Sequence, residues 1–302
     1  MSVNTNCRKG ILLAGGAGTR LYPLNCLVNK HLLPIFGKPM VYYPLSTLMF
    51  SGIRDILFIS DSETIAAFKE LLGDGQQLGI KITYAVQASP NGVAEALIIG
   101  ERFIANESFA LILGDNIFYG HALPEMLAQV MTNFSGGATL FTYQVADPSR
   151  YGVLTIDDKG KPVALIEKPD EYISDYAVTG FYVFEGGAVE VAKGLDPSQR
   201  NELEITDVNR HYLRSADLSV KHFGRGYAWF DAGTVESLLQ ASNYISILES
   251  RQGVGVAYIE EVAYRKGYID SVQLSALIEA MPNGPYRAYL ERVRAPTVVK
   301  QS

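Results

Sequence analysis

The chain has 302 residues, 48% of them hydrophobic and 19% charged, with a formal net charge of −6. That is enough apolar material for a sizeable core in one large α/β domain, or in one domain with an extension. The negative balance, with no Lys/Arg-rich run, excludes a nonspecific grip on nucleic acid. No apolar segment is long enough to span a bilayer, so no membrane partner is expected. Cys7 and Cys26 stand at no zinc-ligand spacing and form no disulfide framework. The polar opening 1–6 leads straight into an apolar run without the features of a secretory signal, which predicts a reducing, cytoplasmic setting.

In chain order, residues 11–14 predict a short strand running into Gly15-Gly16-Ala17-Gly18-Thr19-Arg20-Leu21. Apolar strands at 56–60 and 82–86 alternate with helical stretches at 40–51 and 63–72, the pattern of βαβ units and a mostly parallel sheet. A helix follows over 92–104, then a buried strand over 109–113 that ends at Gly114-Asp115-Asn116. In open α/β sheets ligands gather beyond the carboxyl ends of the strands, which places Asp115 beside the glycine loop. From 137 to 184 the signals become shorter alternating strands with turns, predicting an antiparallel or mixed portion that forms a lid or second half over the site. One helix is predicted after Thr206 and another after Thr234. The stretch from 251 to the end reads as largely helical, which divides the chain into a catalytic unit 1–250 and a helical extension 251–302.

Glycines after a strand let backbone amides approach phosphate oxygens, and Arg20 and Lys30 can meet the remaining negative charge. The dinucleotide fingerprint is excluded because Leu21 stands where a third glycine is needed, and the P-loop pattern is absent. On glycines alone, a strand-to-helix turn without ligand fits equally well. Asp115 and Asp231 end apolar runs beside glycine; each is either a turn or cap residue, or a hard oxygen ligand for Mg²⁺. Glu167-Lys168-Pro169 can present a carboxylate to sugar hydroxyls and an ammonium to a phosphate, or be a solvated strand end. Thr206 reads as a helix cap.

Taken together these segments resemble the sugar-1-phosphate nucleotidylyltransferases over nearly the whole chain. The resemblance rests on the run 13–23 around the glycine loop, on Lys38-Pro39-Met40-Val41-Tyr42-Tyr43-Pro44-Leu45-Ser46, and on Leu113-Gly114-Asp115-Asn116-Ile117-Phe118-Tyr119-Gly120-His121. It is extended by Glu167-Lys168-Pro169, Tyr176-Ala177-Val178-Thr179-Gly180, Glu202-Leu203-Glu204-Ile205-Thr206-Asp207 and Gly224-Arg225-Gly226-Tyr227-Ala228-Trp229. It implies a Rossmann-like nucleotidyltransferase fold with a mixed central sheet flanked by helices and a helical C-terminal extension.

The resemblance further implies transfer of a thymidylyl group from dTTP to glucose 1-phosphate, with Mg²⁺ as cofactor. Gly15, Gly16, Thr19, Arg20 and Lys30 would hold the triphosphate, and Gln87, Pro90 and Gly92 would frame the base. Asp115 and Asp231 would carry Mg²⁺. Asn116, Gly152, Glu167, Lys168, Val178, Tyr182 and Arg200 would line the sugar-phosphate pocket, bordered by Thr206 and Trp229. Tyr119, Gly120, His121 and Arg225 match a second nucleotide site for feedback control at a subunit interface, in a homotetramer. The chain departs from the family pattern at Ala17, His31, Glu95 and Ala232, where Ser, Gln, Gln and Thr are usual. The chemistry asks for no activated Ser, Cys or His, because a sugar phosphate is already largely ionised at neutral pH. It asks for cations that bring two polyanions together.

Overall fold

All but the first residue of β1 (Lys9–Ala14) are buried, as a central strand covered on both faces requires. A computed structural model of the chain describes residues 6–16 and 18–295. Ala17 and the last seven positions lie outside the described residues. After β1 come two 3₁₀ turns (Thr19–Leu21 and Lys30–Leu32), β2 (Pro34–Ile35), β3 (Lys38–Pro39), α1 (Tyr42–Phe50), β4 (Asp55–Ser60) and α2 (Ile65–Leu72). Then follow β5 (Lys81–Val86), α3 (Glu95–Ile99), α4 (Glu101–Ile104), β6 (Phe109–Leu113), β7 (Asn116–Gly120), α5 (Leu123–Asn133), β8 (Ala138–Gln144), β9 (Gly152–Ile156) and β10 (Pro162–Glu167). The rest is β11 (Tyr176–Phe184), α6 (Ala188–Lys193), α7 (Ile205–Arg214), β12 (Leu218–Phe223), β13 (Tyr227–Asp231), α8 (Val235–Gln252), α9 (Ile259–Arg265), α10 (Ser271–Ala280) and α11 (Pro285–Arg294).

Nine strands form one mixed sheet. Its path is β10-β9-β11-β6-β1-β4-β5, with β8 also paired to β11 and β12 to β8. The pairs β6-β1, β1-β4 and β4-β5 are parallel, so the carboxyl ends of all four strands meet along one edge. β1 lies between β4 and β6, so the chain steps outward through β4 and β5 and then returns to β1's other side. That reversal opens a crevice at the strand ends. The alternating side chains build two cores. Leu12, Ala14, Ile56, Phe58, Ala110 and Ile112 point into one with α1, α5 and the last three helices. Ile11, Leu13, Leu57, Ile59, Phe109 and Leu111 point into the other with α3, α6 and α7.

One expectation is decided here and another changes. Of the two readings of 137–184, lid or second half, the second holds: β8 to β11 continue the same sheet, joined to β6 through the antiparallel β11. The helix expected over 92–104 is two short helices that meet at Gly100.

The ladder between β11 and β8 shifts between Val178 and Tyr182. Inside that irregularity the Gly180 amide leaves the ladder and donates to Asn116 Oδ1 at 2.9 Å. β13 pairs with β7 in a separate two-stranded ribbon, Asp231 opposite Asn116 at one end and Tyr227 opposite Gly120 at the other. Trp229 Nε1 also donates to Asn116 Oδ1, at 2.6 Å. One amide side chain therefore ties ribbon and sheet together.

Candidate active site

The parallel edge delivers the glycine loop from β1, Asp61 from β4, Gln87 from β5 and Asp115 from β6 to one crevice. A cavity of 490 Å³ there is lined by Gly16, Asn25 to Lys30, Asp61 to Thr64 and Gln87 to Pro90. Gln87 stands directly over the end of β1. A Cβ at Gly15 would lie 2.7 Å from its Oε1, so any larger residue there would push the Gln87 amide from this position. Gly92 adjoins this wall, its carbonyl accepting from Gln87 Nε2 at 3.1 Å.

Lys30 is held by a polar turn. Asn29 caps the 3₁₀ turn, its Oδ1 accepting from the His31 amide at 2.9 Å and lying 2.8 Å from His31 Nδ1. Its Nδ2 donates to Asp61 Oδ2 at 3.0 Å and Thr64 Oγ1 at 3.1 Å. Because Oδ1 can only accept, His31 carries its proton on Nδ1. Burial and the Lys30 ammonium push the pKa of His31 down to about 3, so the ring is neutral.

From this turn Lys30 Nζ reaches Asp115 Oδ2 at 2.6 Å, and Asn116 Nδ2 donates to the other oxygen at 3.0 Å. Burial acts to raise the Asp115 pKa, but Lys30 and these hydrogen bonds hold it well below the usual carboxylate range. Asp231 is brought alongside by the ribbon, and the Ala232 amide donates to the Asp115 carbonyl at 2.9 Å. A single point between the strands defines the cluster: a Cβ at Gly233 would lie 2.9 Å from Asp231 Oδ1, 3.0 Å from Arg20 Nη2 and 3.6 Å from Asp115 Oδ2. Burial and the neighbouring Asp115 push the Asp231 pKa up, against Lys30, Arg20 and Arg150.

On the far side of Asp115 lies the segment expected to hold a sugar phosphate. Gly152 faces Glu167 across the β9-β10 ladder. Thr206 Oγ1 donates to Glu167 Oε2 at 2.5 Å, and Arg200 Nη2 to Glu167 Oε1 at 3.2 Å and Glu204 Oε1 at 2.8 Å. Thr206 is not a cap, because Glu204 occupies that position and Thr206 lies inside α7. Lys168 is exposed, 3.7 Å from Glu167 Oε1, and adopts a positive φ of 43°, a conformation that costs energy in a non-glycine residue. Val178 and Tyr182 are buried. Burial, then the negative charges of Glu167 and Asp115, raise the Tyr182 hydroxyl's pKa far above its ordinary value.

Thr19 is exposed on the first 3₁₀ turn, outside the residues that line the cavity. Tyr119, Gly120, His121 and Arg225 are not with the rest: they sit at the opposite end of the β7-β13 ribbon, Tyr119 donating to Gln252 Oε1 at 3.2 Å.

A deep strand-end crevice with a cavity on one side, paired carboxylates at its centre and a carboxylate-hydroxyl-guanidinium cluster on the other side accommodates two ligands meeting head to head. The sequence pattern of the nucleotidyl transferase family matches residues 9–246. The chain belongs to that family. It is 50% identical over 285 residues to the glucose-1-phosphate thymidylyltransferase of Neisseria meningitidis serogroup A, covering 94% of this chain and 99% of that one. Among solved structures it is similar to a Bacillus anthracis protein, crystallised with sucrose under the provisional name glucose-1-phosphate thymidylyltransferase. That similarity has a TM-score of 0.73 at 41% identity, over 79% of this chain and 95% of the other. A UDP-glucose pyrophosphorylase complexed with UDP-glucose matches at TM-score 0.69 and 25% identity, over 81% and 100%.

Within this family site, sequence reasoning misses two features and, for a third residue it did single out, Glu95, misses the partner. Arg150 Nη2 bonds Asp231 Oδ2 at 3.1 Å, with no signal beyond a basic residue after a Pro-Ser turn. The Asn29-Asp61-Thr64 brace of Lys30 was foreshadowed only by an asparagine and an aspartate at turn positions. Glu95 is wired into the cavity wall through Gln87 Nε2 at 2.7 Å.

Proposed function

We propose that the chain transfers a thymidylyl group from dTTP to glucose 1-phosphate, giving dTDP-glucose and pyrophosphate by direct attack of the sugar phosphate. The observation that carries this reading is the convergence of Lys30, Arg20, Asp115 and Asp231 between the 490 Å³ cavity and the Glu167 cluster. Half identity across nearly the whole length of a glucose-1-phosphate thymidylyltransferase supports it.

The triphosphate lies along Gly15, Gly16 and Thr19, with Arg20 and Lys30 against the pyrophosphate portion, and the base lies against Gln87, Pro90 and Gly92. The sugar phosphate approaches from Gly152, Val178, Tyr182, Glu167 and Arg200, with Lys168 on its phosphate. The attacking oxygen needs no general base, so the protein's task is alignment and charge compensation. Arg20 and Lys30 compensate from one side and Lys168 from the other.

Among the described residues no group of three or more His, Cys, Asp or Glu forms a closed metal cage. The donor set nevertheless fits Mg²⁺, which takes one or two carboxylates and completes its shell with phosphate and water oxygens. Burial, and then the neighbouring Asp115, raise the pKa of Asp231; a divalent cation would relieve both by offsetting the charge held there. Asp115 and Asp231 would hold it, and its contribution is to neutralise charge on the reacting phosphates. The reading also takes the enzyme to be a cytoplasmic homotetramer with a feedback site at Tyr119, Gly120, His121 and Arg225. The resemblance to the sugar-1-phosphate nucleotidylyltransferases supports these points.

The test is pyrophosphate release with Mg²⁺ and glucose 1-phosphate, offering dTTP, UTP, ATP, CTP and GTP separately. Strong preference for dTTP is expected. Comparable use of UTP would broaden the enzyme to a pyrimidine nucleotidylyltransferase, since one methyl group is worth only about 1–3 kcal/mol in a pocket. Silence with all five, and with other sugar phosphates, would sink the proposal in favour of a nucleotide-sugar sensor.

A further inference from the structure

Glu95, the first residue of α3, is half-buried and has both carboxylate oxygens engaged. Oε1 accepts from Asn91 Nδ2 at 2.8 Å and Oε2 from Gln87 Nε2 at 2.7 Å. Gln87 Nε2 also donates to the Gly92 carbonyl at 3.1 Å. A primary amide has two N–H groups on one side and an oxygen on the other, and neither a carboxylate nor a carbonyl can donate. The N–H groups of Gln87 are thus committed to Glu95 and to the Gly92 carbonyl in the turn before α3, and the amide has one permitted orientation. Its Oε1 is left on the opposite side, where a Cβ at Gly15 would lie 2.7 Å away. Gln87 is itself part of the cavity wall beside Ser89 and Pro90.

Resting on the nucleotide part of the proposed function, we infer that Glu95 is a positioning residue that sets base selectivity. It locks Gln87 as an acceptor, so the cavity takes a pyrimidine whose ring nitrogen bears hydrogen, as in thymine and uracil. Cytosine presents a bare ring nitrogen at the same place. Two facing acceptors leave both groups unpaired as they lose water, which disfavours that base. Asn91 strengthens the lock, because its carbonyl accepts from the Leu203 amide at 2.6 Å and anchors the turn that carries Glu95's second partner.

The experiment compares Glu95→Gln and Glu95→Lys with the wild type. Kd for dTTP and dCTP is measured calorimetrically, and kcat/KM is measured for both. A glutamine, the residue usual at this position in the family, still offers an oxygen to Gln87 Nε2, so the dTTP-to-dCTP preference is expected to stay within about threefold of the wild type. A lysine offers donors only and turns the Gln87 oxygen toward itself, so a fall of about a hundredfold or more is expected. A residue that merely stabilised the turn would weaken both nucleotides alike. An unchanged ratio in Glu95→Lys, or a wild type that binds both nucleotides equally well, overturns this inference alone. A wild type that binds neither nucleotide overturns the proposed function and this inference with it.

Discussion

Asp115 and Asp231 face the same point with opposite electrostatic histories, one held low by Lys30 and the other pushed up by burial and by its neighbour. Asp115→Asn and Asp231→Asn keep the shape and remove the charge. Each is expected to leave a folded protein by circular dichroism and to lower turnover by orders of magnitude. Near-normal pyrophosphate release from both at limiting Mg²⁺ would end their role as metal ligands. His31 makes a different prediction, about stability. Its folded pKa of about 3 lies below the ordinary value near 6.5, so from pH 6.5 downward the unfolded chain takes up a proton that the folded one refuses. Folding stability therefore declines as pH falls through that window. His31→Gln, which does not titrate, is expected to flatten this acid limb in urea unfolding followed from pH 7 to pH 4; an unchanged slope would show that His31 is already charged when folded.

At the scale of elements, the hairpin β2-β3 is held to the C-terminal region through Lys38. Its Nζ pairs with Glu249 Oε1 at 2.8 Å in α8 and lies 4.2 Å from the Tyr258 ring centroid. Tyr258 in turn packs on Tyr286 and Tyr289, with centroids 4.4 Å and 4.2 Å apart. The helices beyond Gly253 share the core that contains Val41, Leu45 and Leu48. Both members of the Lys38-Glu249 pair are shielded from water, so removing one leaves an uncompensated charge. Lys38→Met is expected to cost about 3–5 kcal/mol, read from the urea midpoint at constant slope. A loss below about 1 kcal/mol would mean that water reaches Glu249 in the folded state.

For the molecule as a whole, the parallel half was legible because β1, β4 and β6, covered on both faces, are nearly continuous apolar runs and the edge strand β5 is rich in β-branched and aromatic residues, each ended here by Gly, Ser-Asp or Gln. That pattern located β1, β4, β5 and β6, and with them the crevice and Asp115. The pairing of β12 with β8 and of β13 with β7 left no local trace, since period-two alternation marks a strand but not its neighbour. Hence 137–184 read as either a lid or a second half, and Asp231, locally a turn residue or a metal ligand, was decided by the matching motifs. Thr206 read as a cap because a threonine before an apolar helix face has that local preference, whereas its hydroxyl serves Glu167 across α7 and β10. The two-stranded ribbon also imposes an order in time. Asp231 is 231 − 115 = 116 positions after Asp115, so at about 5–20 residues per second a ribosome makes the two carboxylates roughly 6–23 s apart. During that interval β7 has no β13 to pair with, and its Ile117 and Phe118 wait for their cover. All four parallel strands, and the loops carrying Arg20 and Lys30, leave the ribosome before Asp231, so the cations that face the two mutually repelling carboxylates are made before the second carboxylate.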